Sequence, residues 1–404
     1  MQYLAVLGRQ PEISLAELQA QFKDVHKISN KVAIFKNDQV PDTNRFGGTL
    51  KFAKLLTKMP FDYLISLPEG KITLGVSDYS KKPSKKRAEN EALKLKRTMK
   101  KRGRNVRVVP NKTPELSTAT SHHNQLGEKP RHVELILVEK TWYLSLGAQN
   151  ITAYAKRDQA RPARDAKVGM LPPKLAQILI NLCGPLKPGA RVLDPFCGTG
   201  VVLQEAALMG YTPYGTGLSE RMVEYSKKNL AWLASTAGNS ANISPRSARL
   251  AGLADRAITP VKTGVIAPVA SGNINELPAV DVSQGDATSY TWSAPIDAVA
   301  CETYLGPPMS TPPVDIKLKT AKQECQTIIL GFLKNISTQI TPGTPLVLAI
   351  PAWLRPDNTY SHLNILDEIA NLGYNVEKNF GRNNLLYART GQVVAREIII
   401  LRKK

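Results

Sequence analysis

The 404-residue sequence contains few cysteines and no long uninterrupted apolar segment. Its four cysteines show no CxxC spacing, so neither a zinc ribbon nor a disulfide framework is indicated. The histidines are scattered, and the adjacent pair His122 and His123 favours a polar loop over a metal site. No segment approaches the roughly 18 to 20 apolar residues of a membrane-spanning helix, and the start of the sequence lacks the features of an export signal. We therefore expect no metal, no disulfide, no membrane attachment and a cytoplasmic location.

Acidic residues are also few compared with basic ones. The chain has 33 acidic and 54 basic residues, a net charge of +21. Residues 1–174 contain 33 basic and 16 acidic residues, so they carry +17 of this charge and leave +4 for the rest. A surface of this kind binds polyanions through counterion release, which makes nucleic acid the leading partner. The alternative is a lysine-rich face that only keeps the protein in solution.

The first 152 residues predict two small α+β units. In residues 1–60, YLAVLG and KVAIFK predict strands, and SLAELQAQF between them predicts a helix capped by its serine. Residues 61–152 begin with the strand-like segments YLISL and KITLGVS. A lysine-rich helix near residues 85–101 then keeps four apolar side chains on one face: Ala88, Ala92, Leu95 and Met99. Strands are predicted again at NVRVVP, VELILVEK and TWYLSLGAQ, with the polar loop PELSTATSHHNQLGEK after the first of them.

Residues 153–174 have the mixture of arginine, proline and glycine that is typical of a connector between domains. From residue 175 to residue 404 the pattern becomes helix, strand, glycine loop and helix, which predicts an α/β domain with a doubly wound sheet. Residues 234–279 lack apolar periodicity and are interpreted as a mobile insertion. After it come the strand-like segments VDVSQGDAT and PIDAVACETYLGPP, a helix through Gln323 to Ile340, the strand PLVLAIPAW, the helix HLNILDEIANLGY and the closing strands LLYART and VVAREIIILRK.

The segment DPFCGTG, residues 194–200, is the strongest candidate for a ligand site. A strand ends before it and a helix begins near Val201, so Gly198 and Gly200 lie at a strand-to-helix turn where the backbone can approach a ligand closely. The helix N-terminus favours an anionic group, and in an S-adenosylmethionine site that group is the methionine carboxylate. Neither a GxGxxG dinucleotide fingerprint nor a phosphate loop with lysine is present.

Two further strand ends carry polar residues, in QGDAT and in ACETYLGPP. Because ligands in open α/β sheets bind at the carboxyl ends of strands, these segments are expected to meet DPFCGTG at one cleft. Asp286 is expected to accept a hydrogen bond from an adenine amino group. Glu302, Tyr304 and the backbone of Pro307 and Pro308 are expected to form the floor where a base enters. The alternative reading makes Asp286 and Glu302 ordinary acids at strand ends.

DPFCGTG resembles the first motif of the class I amino-group methyltransferases that modify RNA. More narrowly, AYAKRDQARPARDAKVGMLPPKLAQILINL and ELSTATSHHNQLGEK resemble the THUMP-containing tRNA guanosine N2-methyltransferases, which act on guanosine 10 of tRNA. The resemblance extends through nearly the whole chain except the insertion. It implies a ferredoxin-like unit in residues 1–60 and an RNA-binding THUMP domain in residues 61–152, followed by a Rossmann-like class I methyltransferase domain. It also implies S-adenosylmethionine as cofactor, tRNA as partner and a monomer, without excluding an accessory protein.

The resemblance also assigns roles to individual residues. The residues predicted to bind the cofactor are Asp194, Phe196, Gly198, Thr199, Gly200, Glu220, Asp286 and Ala287. The residues predicted to act in catalysis are Glu302, Tyr304, Pro307 and Pro308. The residues predicted to contact RNA are Lys85, Lys86, Arg87, Arg157, Arg161 and Arg164, and an alternative for the three connector arginines is a network of salt bridges between domains.

The chain departs from the family pattern at two points. Where members end the second strand with an acid that holds the ribose, this sequence has Gly217, and Glu220 one helical turn later is the predicted substitute. Where members have Asp or Asn, two prolines and an aromatic residue, this sequence has CETYLGPP. Either Glu302 takes the acid position or Pro307 and Pro308 supply the backbone. Two other functions therefore stay open: an amino-group methyltransferase of ribosomal RNA or DNA, and a catalytically impaired RNA-binding protein.

Overall fold

The computed structural model describes residues 1–165, 170–238, 280–293, 295–377 and 379–404. These residues form two compact units, one made of residues 1–155 and the other of residues 156–238 with 280–404. The predicted insertion falls mostly outside the described residues. Its first residues, 234–238, are the end of a helix.

The first unit is built on an eight-stranded sheet. Its strands are β1 (Gln2–Leu7), β2 (His26–Lys27), β3 (Val32–Lys36), β4 (Thr49–Leu55), β5 (Ile72–Asp78), β6 (Val106–Val108), β7 (His132–Val138) and β8 (Thr141–Ala148). Their order across the sheet is β2-β3-β1-β4-β8-β7-β5-β6. Because β4 pairs with β8, strands from both predicted units, 1–60 and 61–152, lie in the same sheet. The boundary at residue 60 and the THUMP assignment stay predictions.

The helices of this unit correct three sequence predictions. They are α1 (Pro11–Gln21), α2 (Pro60–Ile65), α3 (Lys85–Lys101), α4 (Thr118–His123) and the start of α5 (Ile151–Gln159), with a 3-10 turn at Thr43–Arg45. Helix α1 begins three residues before Ser14, which therefore lies inside it and donates its hydroxyl to the Gly48 carbonyl at 2.7 Å. The first three residues of YLISL belong to helix α2 rather than to a strand, because Pro60 starts a helix whose Leu64 is buried. The loop predicted before β7 contains helix α4.

The lysine-rich helix α3 is confirmed, and its burial explains its sequence. Ser84 caps its N-terminus by accepting a hydrogen bond from the Arg87 N–H. The four predicted apolar side chains are all buried against Ile72, Leu74 and Val76 of β5. The lysines therefore remain on the outer face of the helix, as its strong amphipathic pattern predicts.

The second unit is built on a nine-stranded sheet. Its strands are β9 (Arg191–Asp194), β10 (Thr212–Gly217), β11 (Asp281–Gln284), β12 (Ala298–Glu302), β13 (Pro345–Leu354), β14 (Tyr360–Ser361), β15 (Tyr374–Val376), β16 (Leu386–Tyr387) and β17 (Val394–Lys403). The main order is β11-β10-β9-β12-β13-β17-β15, with β14 beside β13 and β16 beside β17. Strands β9 to β13 are parallel, whereas β17 is antiparallel to both β13 and β15.

The chain order reverses between β9 and β12, which makes this the switch point of the sheet. The helices of the second unit are the end of α5, then α6 (Pro173–Leu182), α7 (Val201–Leu208), α8 (Glu220–Gly238), α9 (Asp315–Ile336) and α10 (Leu366–Asn371). Helix α9 packs Cys325, Ile329 and Phe332 against Leu346 and Leu348 of β13 in the largest apolar core. Within the described residues, no helix combines the length and apolar character that crossing a membrane requires.

Candidate active site

The glycine turn joins the end of β9 to the start of α7, as predicted. Gly198 and Gly200 have φ of +49° and +79°, a region in which side chains are strained. A Cβ on Gly200 would lie 3.0 Å from the Ser226 hydroxyl, whereas a Cβ on Gly198 would meet nothing closer than 3.8 Å. The space beside Gly198 is therefore open, and a ligand can approach the backbone there. Ser226 fixes the turn by donating to the Gly198 carbonyl at 2.8 Å.

Asp194, the last residue of β9, is a buried acid. The residue is 3% exposed, and its carboxyl group accepts a hydrogen bond of 3.0 Å from the Phe196 N–H. Burial raises the pKa of Asp194 to about 8, and the charge of Glu302 adds to the increase. Within the described parts of the chain, no arginine, lysine or histidine forms an ion pair with this carboxyl. A cation placed beside it would be strongly favoured.

Glu302, the last residue of β12, lies on the strand next to Asp194. Strand β12 pairs in parallel with β9, so the carboxyl ends of both strands meet at one edge of the sheet. The Glu302 carboxylate accepts a hydrogen bond of 2.7 Å from Nε of Arg396 on β17. Burial raises the pKa of Glu302, while the charges of Arg396 and Arg389 oppose this. The sequence analysis missed Arg396, although an Arg-Glu pair inside the apolar strand VVAREIIIL was a visible signal.

The segment after Glu302 continues along the same edge of the sheet. Thr303 is buried and its N–H donates to the Ala349 carbonyl at 3.0 Å, which continues the strand. Tyr304 is 38% exposed, so its ring is accessible to a ligand. Gly306 has φ of +83° and turns the chain away, and Pro307 and Pro308 after it are exposed. The structure thus brings Glu302 and Tyr304 to the edge and places the two prolines beyond the turn.

The remaining predicted cofactor residues lie around the ends of β10 and β11. Gly217 ends β10, and a Cβ there would be 3.2 Å from the Cys197 sulfur. Glu220 is the first residue of α8 and is exposed. Asp286 is exposed, and its Oδ1 accepts from the N–H and hydroxyl of Thr288, which lowers the pKa of Asp286.

Three more predicted residues lie close to the glycine turn in sequence or next to Asp286. Ala287 is buried and its carbonyl accepts from Asn335 at 3.0 Å. Phe196 packs edge-on against Phe332, with ring centroids 5.4 Å apart. Thr199 is buried, and its carbonyl accepts a hydrogen bond of 2.9 Å from Asn229. The Phe196 ring and the backbone carbonyls of Ala287 and Thr199 thus anchor these segments to neighbouring helices.

Two of the connector arginines are largely occupied by contacts within the second unit. Arg157 lies in helix α5 and forms a bidentate pair with the buried Glu205 of α7, with an Nε–Oε1 distance of 2.6 Å. Arg161 is 3% exposed and lies 3.9 Å from Asp158. Arg161 is thus buried and Arg157 is half-buried in an ion pair, and their assignment to RNA binding stays a prediction. Arg164 is exposed, and its guanidinium donates to the Gln159 carbonyl.

In the first unit, Lys85 and Lys86 are exposed at the start of α3. Arg87 is held by the buried Asp78 through two hydrogen bonds of 2.7 and 2.8 Å. The same helix borders a cavity of about 490 Å³ that sequence reasoning missed. Five basic residues line this cavity: Lys71, Lys96, Lys100, Arg104 and Arg107. No acidic residue lines it, so the cavity suits an anion.

The order and directions of the seven central strands in the second unit, with a glycine turn after β9, define the class I methyltransferase fold. The predicted fold class is confirmed for this unit. Residues 161–304 match the family described as RMKL-like, methyltransferase domain. The match covers about a third of the chain and begins in the second unit, where the sequence predicts a Rossmann-like methyltransferase domain.

Curated relatives share short segments with the chain. A tRNA (guanine(10)-N2)-dimethyltransferase of Methanothermobacter thermautotrophicus is 38% identical over 122 residues, which are 30% of this chain and 36% of that protein. The enzyme of the same name from Pyrococcus abyssi is 45% identical over 62 residues, 15% of this chain and 18% of that protein. The chain thus spans little more than a third of the relatives that it matches. The crystal structure of TrmN from Thermus thermophilus aligns over the whole of both chains with 17% identity and a TM-score of 0.46.

Proposed function

We propose that the protein transfers a methyl group from S-adenosylmethionine to the exocyclic N2 amino group of a guanosine in tRNA, at position 10. The observation that carries this proposal is the meeting of two acids, Asp194 and Glu302, at the switch point beside the glycine turn. The names of the curated relatives supply the substrate and the position.

The residues present fit S-adenosylmethionine. The open space beside Gly198 and the N-terminus of α7 suit the methionine carboxylate. Asp194 suits the methionine ammonium group, because a buried acid without a counter-ion gains most from a cation. Asp286 binds Thr288 through Oδ1, and its Oδ2 is the atom that we assign to the adenine amino group. S-adenosylmethionine, when bound, supplies an activated methyl group.

Glu302 carries the chemistry on the substrate side. The lone pair of the guanine N2 is delocalised into the ring, so the amino group is a poor nucleophile. A carboxylate that accepts a hydrogen bond from this amine favours a pyramidal nitrogen and receives the proton that the amine loses on methylation. Arg396 holds Glu302 in place, and its charge opposes the increase that burial causes in the pKa of Glu302. Tyr304 offers an accessible ring on which a base turned out of its helix can stack.

The first unit supplies the affinity for RNA in this proposal. The cavity lined by five basic side chains, together with the exposed Lys85 and Lys86, suits the phosphate backbone. Arg164 is the exposed connector arginine and a candidate for contact with RNA. The protein would act as a monomer on tRNA in the cytoplasm, and an accessory protein remains compatible with this activity.

The test is nucleoside mass spectrometry of unmodified tRNA before and after incubation with the protein and S-adenosylmethionine. We expect N2-methylguanosine at position 10. A methyl group on adenine or cytosine, or elsewhere in the tRNA, contradicts the proposal. Replacing Glu302 by Gln is expected to lower turnover by roughly 10²-fold or more. It should not weaken cofactor binding, because loss of the Glu302 charge makes Asp194 easier to ionise. Glu324→Gln, an exposed acid on α9, is the matched control and should retain full activity.

The second candidate is an RNA-binding protein whose methyltransferase domain no longer turns over. Gly217 favours it, because the end of β10 offers no carboxylate to the ribose hydroxyls. Calorimetry with S-adenosylhomocysteine separates the two functions. Binding in the micromolar range supports the enzyme, whereas folded protein that binds tRNA but no S-adenosylhomocysteine supports the alternative.

A further inference from the structure

Three basic side chains gather at the carboxyl edge of the second sheet, outside the residues discussed above. Lys322 lies on α9, Arg355 directly follows β13, and Arg382 precedes β16. Arg382 reaches back to donate a hydrogen bond of 2.6 Å to the Leu363 carbonyl, close to the β13–β14 hairpin. The charges of Arg355 and Arg382 both act on Lys322, so three segments that are distant in sequence bring their cations near one another.

The positive charge of this cluster is only partly balanced. Arg382 pairs with the buried Glu397, which also accepts a hydrogen bond from His362. Hydrogen bonds, followed by the charge of Arg355, lower the pKa of the exposed Asp357, so this cation has an acid nearby as well. Lys322 is half-buried and makes no ion pair with any residue that the structure describes. Burial, followed by the charges of Arg355 and Arg382, lowers the pKa of Lys322. A half-buried lysine that faces two arginines is unfavourable in the free protein, and a bound anion would relieve this repulsion.

The cluster borders the segment that carries Tyr304. A Cβ built on Gly306 would lie 3.8 Å from both the Ala321 side chain and the Trp353 ring. Ala321 is the neighbour of Lys322 on α9, and Trp353 lies two residues before Arg355. Ala321 and Trp353, which flank Gly306, are therefore one and two residues away from Lys322 and Arg355 in the sequence.

The Trp353 side chain, which lies beside Gly306, has an unsatisfied hydrogen-bond donor. It is fully buried, and its Nε1–H has no hydrogen-bond partner among the described residues. The ring edge that carries this N–H also includes the Cζ2 atom nearest to Gly306. A buried donor without a partner is costly, typically about 1–3 kcal/mol.

We propose that Lys322, Arg355 and Arg382 form a phosphate-binding cluster that holds the RNA backbone beside the target guanosine. The proposal rests on the proposed function, since it takes the substrate to be RNA. A base that leaves its helix must have its flanking phosphates fixed, otherwise the nucleotide returns to the stack. The cluster provides fixed cations within the methyltransferase domain, whereas the basic cavity of the first unit provides affinity for the remainder of the RNA.

The experiment compares Lys322→Met and Arg355→Met with Lys334→Met. Lys334 is an exposed residue on the same helix, three turns further from its start, so the control removes the same charge from α9. Steady-state methylation of transcribed tRNA gives KM and kcat, and fluorescence anisotropy of labelled tRNA at several salt concentrations gives the salt dependence of binding. Thermal unfolding and affinity for S-adenosylhomocysteine are measured on every variant.

For Lys322→Met and Arg355→Met we expect KM for tRNA to rise roughly five- to tenfold, and the salt slope to fall by about 0.9 for each lost phosphate contact. Lys334→Met should match the wild type. The proposal is overturned if all three variants behave alike, or if the first two weaken S-adenosylhomocysteine instead of tRNA. If the wild type methylates no RNA, the proposed function fails. The anisotropy series still decides whether the cluster binds RNA.

Discussion

Replacing Asp194 by Asn tests the central claim that this acid is buried without a counter-ion. Burial raises the pKa of Asp194 from 3.8 to about 8. A carboxyl group whose pKa is raised in the folded state binds its proton more tightly there than in the unfolded chain. Its contribution to stability is therefore complete below about pH 4 and is lost as the pH rises to about 8. An asparagine resembles the protonated acid and keeps an oxygen for the Phe196 N–H, so it avoids this loss.

The size of the effect follows from the same pKa. At about 1.4 kcal/mol for each pH unit, the difference corresponds to at most about 6 kcal/mol above pH 8. Water entering the site would reduce this value. We expect Asp194→Asn to match the wild type near pH 4 and to exceed it by roughly 3–5 kcal/mol in unfolding free energy at pH 8.5.

Urea unfolding of the full chain at pH 4, 6 and 8.5 provides the measurement, with the fluorescence of Trp292 and Trp353 reporting on the same domain. Asp286→Asn is the control. Asp286 is exposed, so its replacement should change the free energy of unfolding little. Because the pKa of Asp286 is lowered, any loss of stability in this variant should grow as the pH rises, opposite to the gain expected for Asp194→Asn. Asp194 is not a buried acid without a counter-ion if Asp194→Asn is no more stable than the wild type at pH 8.5. The same conclusion follows if the gain in unfolding free energy is as large at pH 4 as at pH 8.5.

Three further predictions follow from contacts in the structure. Replacing Arg396 by Met removes the ion-pair partner of Glu302, so the pKa of Glu302 should rise and the acidic limb of the pH–rate profile should move to higher pH. An unmoved limb would show that Arg396 does not control this acid. Lys51→Met leaves the buried Glu134 unpaired and should cost about 3–5 kcal/mol in chemical unfolding, and adding Glu134→Leu should recover most of the loss. Gly200→Ala puts a side chain on a residue with φ of +79° and should lower stability by roughly 1–3 kcal/mol, whereas an unchanged melting temperature would argue against strain at this turn.

Sequence patterns predicted the second domain well because local and periodic signals agree there. The strand before Asp194 and the helix from Val201 were both predicted, since a glycine turn leaves little choice of structure around it. The meeting of Asp194 and Glu302 followed from the rule that parallel strands end at one edge. In the first unit, YLISL was misread because five residues are too few to separate a strand from a helix that starts at Pro60.

Other parts of the site depend on contacts that no local pattern contains. Arg396 reaches Glu302 from 94 residues away, through two successive strand pairings. The sequence shows the charges of Arg157 and Arg161, but not the burial of Arg161 or the pairing of Arg157 with Glu205. For Arg157, the buried partner Glu205 inside the apolar segment VVLQEAAL was the available clue.

The two acids at the switch point differ in their surroundings, and this difference separates their roles. Asp194 has one backbone N–H and no cation, and its pKa rises to about 8, so it is largely protonated near pH 7 until a cation arrives. Glu302 has Arg396 at 2.7 Å, which opposes the effect of burial and favours the charged form. A group that waits for a cation suits the ammonium of the cofactor, whereas a carboxyl group held by an arginine suits an amine that must lose a proton. The charge of Glu302 also raises the pKa of Asp194, so neutralising Glu302 should lower the pKa of Asp194 and make it easier to ionise. Glu302→Gln should therefore move the pH dependence of stability that belongs to Asp194 to lower pH. This coupling requires that the two carboxyl groups share one site, and pH dependence unchanged in Glu302→Gln would show that they do not.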